Sequence, residues 1–228
     1  MARSTFDIQF AINVLPIMLK YLQVTLALAM ASIIIGLCLA LGIALIINAK
    51  VPVLHRFLKI YISFFRGTPL IAQLFFVYFG LIGAFPVLVD LTSFKAALIV
   101  MSMNSSAYMA EVFRGAIMAV DKGQMEASLS VGMTYFQAMR RIILPQAFRL
   151  AIPALGNSFI NVTKDSSLAF TIGVKEMTAA AQLEAASSWR YMECFVDILL
   201  IYWLLISFLS YLQRHLEKAL NRTVGEQN

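Results

Sequence analysis

From Leu15 to Ile47 the chain is an almost unbroken run of Leu, Ile, Ala and Val, with Lys20, Gln23 and Thr25 near its start. A helix of about 30 residues is about 45 Å long, against about 30 Å for the hydrocarbon core of a bilayer. Such a helix tilts or projects beyond the membrane. Of 228 residues, 61% are apolar and 13% charged, and a soluble domain would carry nearly twice that charge. The chain therefore reads as an all-α, polytopic integral membrane protein. Its length fits a single domain, residues 1–228. The net charge of +6 does not point to nucleic acid, because Lys and Arg gather at the ends of apolar runs.

Arg3 and Asp7 precede the first run, which continues far beyond a signal-peptide core without an A-x-A site, so it reads as an uncleaved span. A basic linker follows, with Lys50, His55, Arg56 and Lys59. The second span starts near Phe57, is interrupted by Arg66-Gly67-Thr68-Pro69 and runs to about Phe85. Thr68 is placed to cap the helix that Pro69 begins. Non-helical backbone at membrane depth is tolerated only against protein or a wet cavity, so the break should face inward. Further spans are expected over Phe94 to Val120, Pro145 to Val174 and Tyr191 to Leu212, the last ending in Arg214, His215, Lys218 and Arg222. Basic ends after the first, third and fifth spans give about five helices, an external N-terminus and an internal C-terminus. No internal repeat is visible, which argues against an inverted-repeat transporter. Cys38 and Cys194 lie in different runs and read as buried packing residues.

Between the third and fourth spans stands a charged, amphipathic insert, residues 121–145. Gln124 to Ser130 reads as a short helix begun by Glu126, Gly132 as a bend, and Thr134 with Gln137 as a capping box. In the second helix Phe136, Met139, Ile142 and Ile143 are expected on one side, with Pro145 ending it. Ala127 and Ser128 are small enough to let another surface approach closely. An amphipathic helix lying on anionic lipid is the simpler alternative.

Glu126-Ala127, Gly132, Ile142 and Leu144-Pro145 stand at the spacing of the EAA loop, and the insert resembles that of ABC importer permeases; Ser128 replaces the usual second Ala. Arg66-Gly67-Thr68-Pro69-Leu70, Asn104-Ser105-Ser106-Ala107-Tyr108, Glu111 with Arg114-Gly115, and Lys164-Asp165-Ser166-Ser167-Leu168 extend the likeness over nearly the whole chain. They resemble the polar amino-acid uptake branch, and L-cystine permeases most. The resemblance implies a type I importer transmembrane domain whose cytoplasmic coupling helix seats in an ATPase subunit. It also implies two ATPase copies, a second permease copy or sister permease, an extracytoplasmic substrate-binding protein, and residence in the cytoplasmic membrane of a prokaryote. No G-x-x-x-x-G-K-[ST] loop occurs, so ATP and Mg are expected on the partner ATPase, with no cofactor or metal in this chain and no enzyme activity of its own.

Asn104, Tyr108, Glu111 and Gly115 recur on one stripe of the third span; Asn157, Asn161 and Asp165, with Ser158 beside them, recur on the fourth. Intramembrane polar groups normally face a bundle interior or wet cavity, so the two stripes, with Ser166, are candidates for a substrate pathway. Each has a plainer reading. Glu111 and Arg114 are three apart and suit a structural pair. Asn104 and Asn161 suit interhelical hydrogen bonding, and Asp165 suits a pair with Lys164. Arg66 suits anchoring of helix-end carbonyls or capture of a substrate carboxylate. Members of this family that handle cationic amino acids can carry a carboxylate near the position of Ser158, so serine there argues against arginine or lysine and for a neutral or zwitterionic cargo. An ion-coupled secondary transporter working through Glu111 or Asp165, or a scaffold whose hairpin recruits a soluble enzyme, are the rival functions.

Overall fold

The computed structural model describes residues 6–49 and 52–225, so Arg3 and Lys50 lie outside it. Every regular element among the described residues is helical. Helix α1 (Ile8–Lys20) starts at Asp7, whose carboxylate accepts the Phe10 N–H at 3.0 Å. Only Tyr21 separates it from α2 (Leu22–Asn48), and together they extend over 41 residues. The helical length thus begins well before Leu15. Gln9, Asn13 and Pro16 interrupt the apolar pattern there, but Val14 and Met18 pack against Cys194, Ile198 and Ile201. Cys194 is buried in that cluster, whereas Cys38 is exposed, contrary to its reading as a buried residue.

Helix α3 (Pro52–Gly67) and the next segment, α4 (Leu70–Phe75) with a π turn (Phe76–Leu81) and α5 (Ile82–Ala84), meet at 108°. The expected break is present. Thr68 does not cap α4, because its hydroxyl turns back and donates to the Phe64 carbonyl at 2.8 Å. Helix α6 (Ser93–Ala119) starts on the Thr92 hydroxyl, which accepts the Lys95 N–H.

Helices α2 and α6 form the tightest pair because small side chains line their contact. Ala29 and Ala40 pack beside Ala96, Ala97, Ala107 and Ala110, and Ser105 donates to the Ser32 carbonyl at 3.5 Å. Small residues let membrane helices approach until their backbones touch. The limit is reached at Gly36, where an added Cβ would collide with Ser105 Oγ and stand 3.2 Å from the Ser102 carbonyl.

After a hairpin described below, α9 (Leu144–Asp165) lies among the other helices. It is followed by a 3-10 turn (Ser166–Ile172), α10 (Met177–Ser188) and α11 (Tyr191–Gly225). The expected fourth span reached Val174; the helix ends at Asp165, and Ser166 and Thr171 hydroxyls bond back to Thr163 and Leu168 carbonyls in the tighter turn. Glu176 then joins three helices. Its carboxylate accepts from the Thr178 and Ala179 N–H groups and from the hydroxyls of Thr25 and Tyr202, while burial pushes its carboxyl above the usual range.

Among the described residues three lengths are long and apolar enough to cross a membrane, Ile8–Asn48, Ser93–Ala119 and Tyr191–Ala219, and the bent pair, taken as one span, makes a fourth. Helix α9, about 33 Å long, is not among them, so the described residues give up to four such spans against the five expected. Arg149, Asn157, Asn161, Lys164 and Asp165 make it less apolar than the others. Gly36→Val should destabilise the α2–α6 pair by about 1–3 kcal/mol. A lowered unfolding midpoint of the detergent-solubilised protein would show it.

Candidate functional site

The missing N–H of Pro69 governs the broken span. In a continuous helix the Phe65 carbonyl would accept from residue 69, and proline has nothing to donate. Gln73 and Asn104 fill the gap: each donates a side-chain N–H to the Phe65 carbonyl at 3.1 Å. Gln73 Nε2 also reaches the Thr68 carbonyl at 3.1 Å and its hydroxyl at 2.8 Å, while Gln73 Oε1 accepts from Asn104 at 3.0 Å. Tyr61 adds a further tie, donating to the Met103 carbonyl at 2.8 Å. Arg66 was a candidate for anchoring the freed carbonyls and does not do so. Gln73 was not singled out in the sequence, although it is the one amide in the apolar run from Leu70 to Ala84.

Beside this elbow opens a cavity of about 690 Å³. Thr68, Pro69 and Leu70 line it from the break, Asn104, Ser105 and Tyr108 from α6, and Ser158, Asn161, Lys164 and Asp165 from α9. Of the expected pathway residues, Asn104, Tyr108, Ser158, Asn161 and Asp165 are thus brought together. Three are not. Asn157 stands about 80° around the axis from Asp165 and accepts from Gln213 of α11 at 3.3 Å. Ser166 is buried and donates to the Thr163 carbonyl. Glu111 sits one turn beyond Tyr108 in an ion cluster, held by Arg114 through contacts of 2.7 to 3.1 Å and by Arg66 at 3.9 Å. The Arg66 guanidinium also lies 5.6 Å from the Tyr108 ring centroid.

Charges in the cavity are less satisfied than those of the cluster. Asp165 is half-buried, and among the described residues its carboxylate takes no hydrogen bond and no ion pair. The pair anticipated between Lys164 and Asp165 does not close to a salt bridge, though the Lys164 charge acts on the carboxylate and both side chains line the cavity.

At the other end of α6 the insert forms a helical hairpin. Helix α7 (Lys122–Ser130) is capped by Asp121, which accepts the Gly123 N–H at 2.6 Å. Glu126 lies in mid-helix and exposed, so it does not begin the helix. Ala127 is exposed, but Ser128 is buried and donates to the Gln124 carbonyl, so it does not offer a free surface. Gly132, at φ 85°, makes the reversal in the left-handed region that favours glycine. The capping box of Thr134 and Gln137 is complete and starts α8 (Tyr135–Ala138). Met139 and Ile143 are buried, Ile142 and Leu144 pack on the same core, and Phe136 is 72% exposed, which removes it from their side. Pro145 does not end this helix. A π turn (Met139–Ile143) leads directly into α9, with Pro145 in the first turn of α9. The Leu144 N–H closes the π turn on the Met139 carbonyl, five residues back, and Pro145 follows in the first turn of α9, where a missing N–H is tolerated.

Residues 32–222 match the family described as the binding-protein-dependent transport system inner membrane component. The chain belongs to this family. This permease is 49% identical to the probable amino-acid ABC transporter permease protein PatM of Vibrio harveyi, over 95% of its own length and 97% of PatM. It is 40% identical to the L-cystine transport system permease protein TcyB of Bacillus subtilis, over 92% of its length and 89% of TcyB. A solved structure of an amino acid ABC transporter superposes with a TM-score of 0.88 at 35% identity, covering 94% of this permease and 99% of that chain. The fold is that of a type I ABC importer transmembrane domain, and the protein is the inner membrane permease component of an ABC importer for amino acids. Family membership carries with it separate ATPase and binding-protein partners and sets aside the ion-coupled and scaffold alternatives.

Thr134→Ala removes one half of the capping box and should cost the hairpin about 1 kcal/mol. Hydrogen exchange would report it as several-fold faster exchange of the Gln137 amide with no change in α6.

Proposed function

We propose that the permease passes a zwitterionic polar amino acid through the elbow cavity, with L-cystine as the favoured cargo. The observation that carries this reading is the Asp165 carboxylate, which lines a polar cavity and, among the described residues, takes no hydrogen bond and no ion pair. An ionised group in such a place is costly unless something completes it, and a substrate ammonium does so. Lys164 offers the opposite pole to the substrate carboxylate. Asn104, Ser158 and Asn161 supply neutral hydrogen-bonding groups between them. Cystine is favoured by the likeness to TcyB and by serine, not a carboxylate, at position 158.

The hairpin is the coupling element. It presents Val131 and Phe136, 79% and 72% exposed, on either side of the Gly132 reversal. Glu126, Ala127, Ile142, Leu144 and Pro145 complete the motif, with Ser128 as internal packing. In this reading the N-terminus is external and the C-terminus and hairpin are cytoplasmic. Two permeases, alike or as sisters, join two ATPase subunits that bind ATP and Mg. An extracytoplasmic binding protein delivers cargo to the opposite side. ATP binding favours the state in which the cavities face that protein, and hydrolysis returns them inward.

Asp165→Asn should lower uptake in proteoliposomes containing the complete transporter by at least about tenfold, because the charge-assisted contact with the ammonium is lost. Assembly with the ATPase should persist; wild-type uptake by this variant contradicts the site. Gly132→Asp should abolish uptake and uncouple or release the ATPase while membrane insertion is retained. Substrate-stimulated ATP hydrolysis at the wild-type rate in that variant would remove the coupling role.

A further inference from the structure

We infer that Gln73, which does not line the cavity, determines which end of an amino acid the cavity accepts by fixing the orientation of Asn104. The inference rests on the amino-acid site proposed above and adds to it a positioning residue in the broken span.

Gln73 is only 5% exposed, and its Nε2 faces three oxygens: the Phe65 carbonyl, the Thr68 carbonyl and the Thr68 hydroxyl. The hydroxyl has already given its hydrogen to Phe64, so all three can only accept. Turning the Gln73 amide over would set its oxygen against three sets of lone pairs. Its Oε1 must therefore point at Asn104, and an oxygen there requires a donor. Asn104 answers with Nδ2, which also donates to the Phe65 carbonyl. Both hydrogens of that amide are then used. Among the described residues Asn104 Oδ1 has no protein partner, and Asn104 is a cavity residue. The oxygen is what the amide has left to offer a substrate.

A chain of forced choices thus runs from the backbone to the cavity. Pro69 leaves the Phe65 carbonyl open, that carbonyl and Thr68 orient Gln73, Gln73 orients Asn104, and Asn104 presents an acceptor. Ser158 reinforces the polarity, since its own hydrogen is donated to the Ala154 carbonyl at 2.9 Å and its lone pairs remain. With Asp165 these groups form an acceptor-rich pole suited to an ammonium. Without Gln73 one of the two acceptors that hold the Asn104 NH2 is gone, and only the Phe65 carbonyl still opposes a turn of that NH2 to the cavity, where it repels an ammonium and suits a hydroxyl or carboxylate.

The test uses the permease purified with its ATPase in nanodiscs. Equilibrium binding is measured for L-cystine and the standard L-amino acids. The tightest binder is then compared with its 2-hydroxy analogue, in which a hydroxyl replaces the ammonium. Gln73→Met keeps the length of the side chain and removes its polarity; it should reduce the preference for the amino form about tenfold. Asn104→Leu should reproduce the loss, and adding Gln73→Met to it should change nothing more. This double variant reads orientation, which a purely structural role for Gln73 would not move. Should Gln73→Met fail to assemble, an undiminished preference in Asn104→Leu overturns the inference by itself. If Asp165→Asn lowers the preference and Gln73→Met does not, the relay alone is overturned. If Asp165→Asn leaves it unchanged, the cavity reading fails and the relay with it.

Discussion

One absent hydrogen organises this permease. Pro69 has no N–H, so the Phe65 carbonyl would be left open within a membrane-spanning segment, where an unsatisfied backbone group costs several kcal/mol. The chain cannot leave it to water or lipid. Gln73 and Asn104 close it from two different elements, and in doing so they tie the 108° elbow to α6. The bend that proline creates is thereby held at one geometry, and the cavity lies against it. A broken span and the cavity beside it are two results of the same local rule.

The remainder of the bundle provides a rigid frame for that elbow. The small-residue contact of α2 with α6 holds α6 close, with no spare volume at Gly36. Glu176 ties α2, α10 and α11 together away from the cavity. Helix α6 consequently spans three features: Asn104 and Tyr108 at the cavity, the Glu111–Arg114 pair one turn further, and, just beyond its end, Asp121 capping the hairpin. Movement of the hairpin therefore acts on a helix that reaches the cavity directly. Arg66, shared between Glu111 and the Tyr108 ring, links the elbow to the same stretch.

What the sequence made legible were features whose cause is local. The capping box at Thr134, the reversal at Gly132 and the break before Pro69 depend on neighbours a few residues away, and each stands where expected. Stripe periodicity also brought Asn104, Tyr108, Asn161 and Asp165 to one cavity. Less legible were choices made by partners distant in sequence. Asn157 shares the spacing of Asn161, yet Gln213, 56 residues away, takes it. Gln73 looked like an isolated amide because Asn104 is 31 residues on. Thr68 was placed to cap the helix that Pro69 begins, and the Phe64 carbonyl takes its hydroxyl instead. Pro145 looked like a helix end because a π turn leaves no residue signature of its own.

The central claim is that the acceptor-rich side of the elbow cavity receives a substrate ammonium. It is tested most directly by an experimental structure of the permease with its ATPase and bound L-cystine. The account predicts cystine in the cavity, with an amino nitrogen within hydrogen-bonding distance of both the Asp165 carboxylate and Asn104 Oδ1. Cystine bound elsewhere, or seated with a carboxylate toward Asp165, would contradict it.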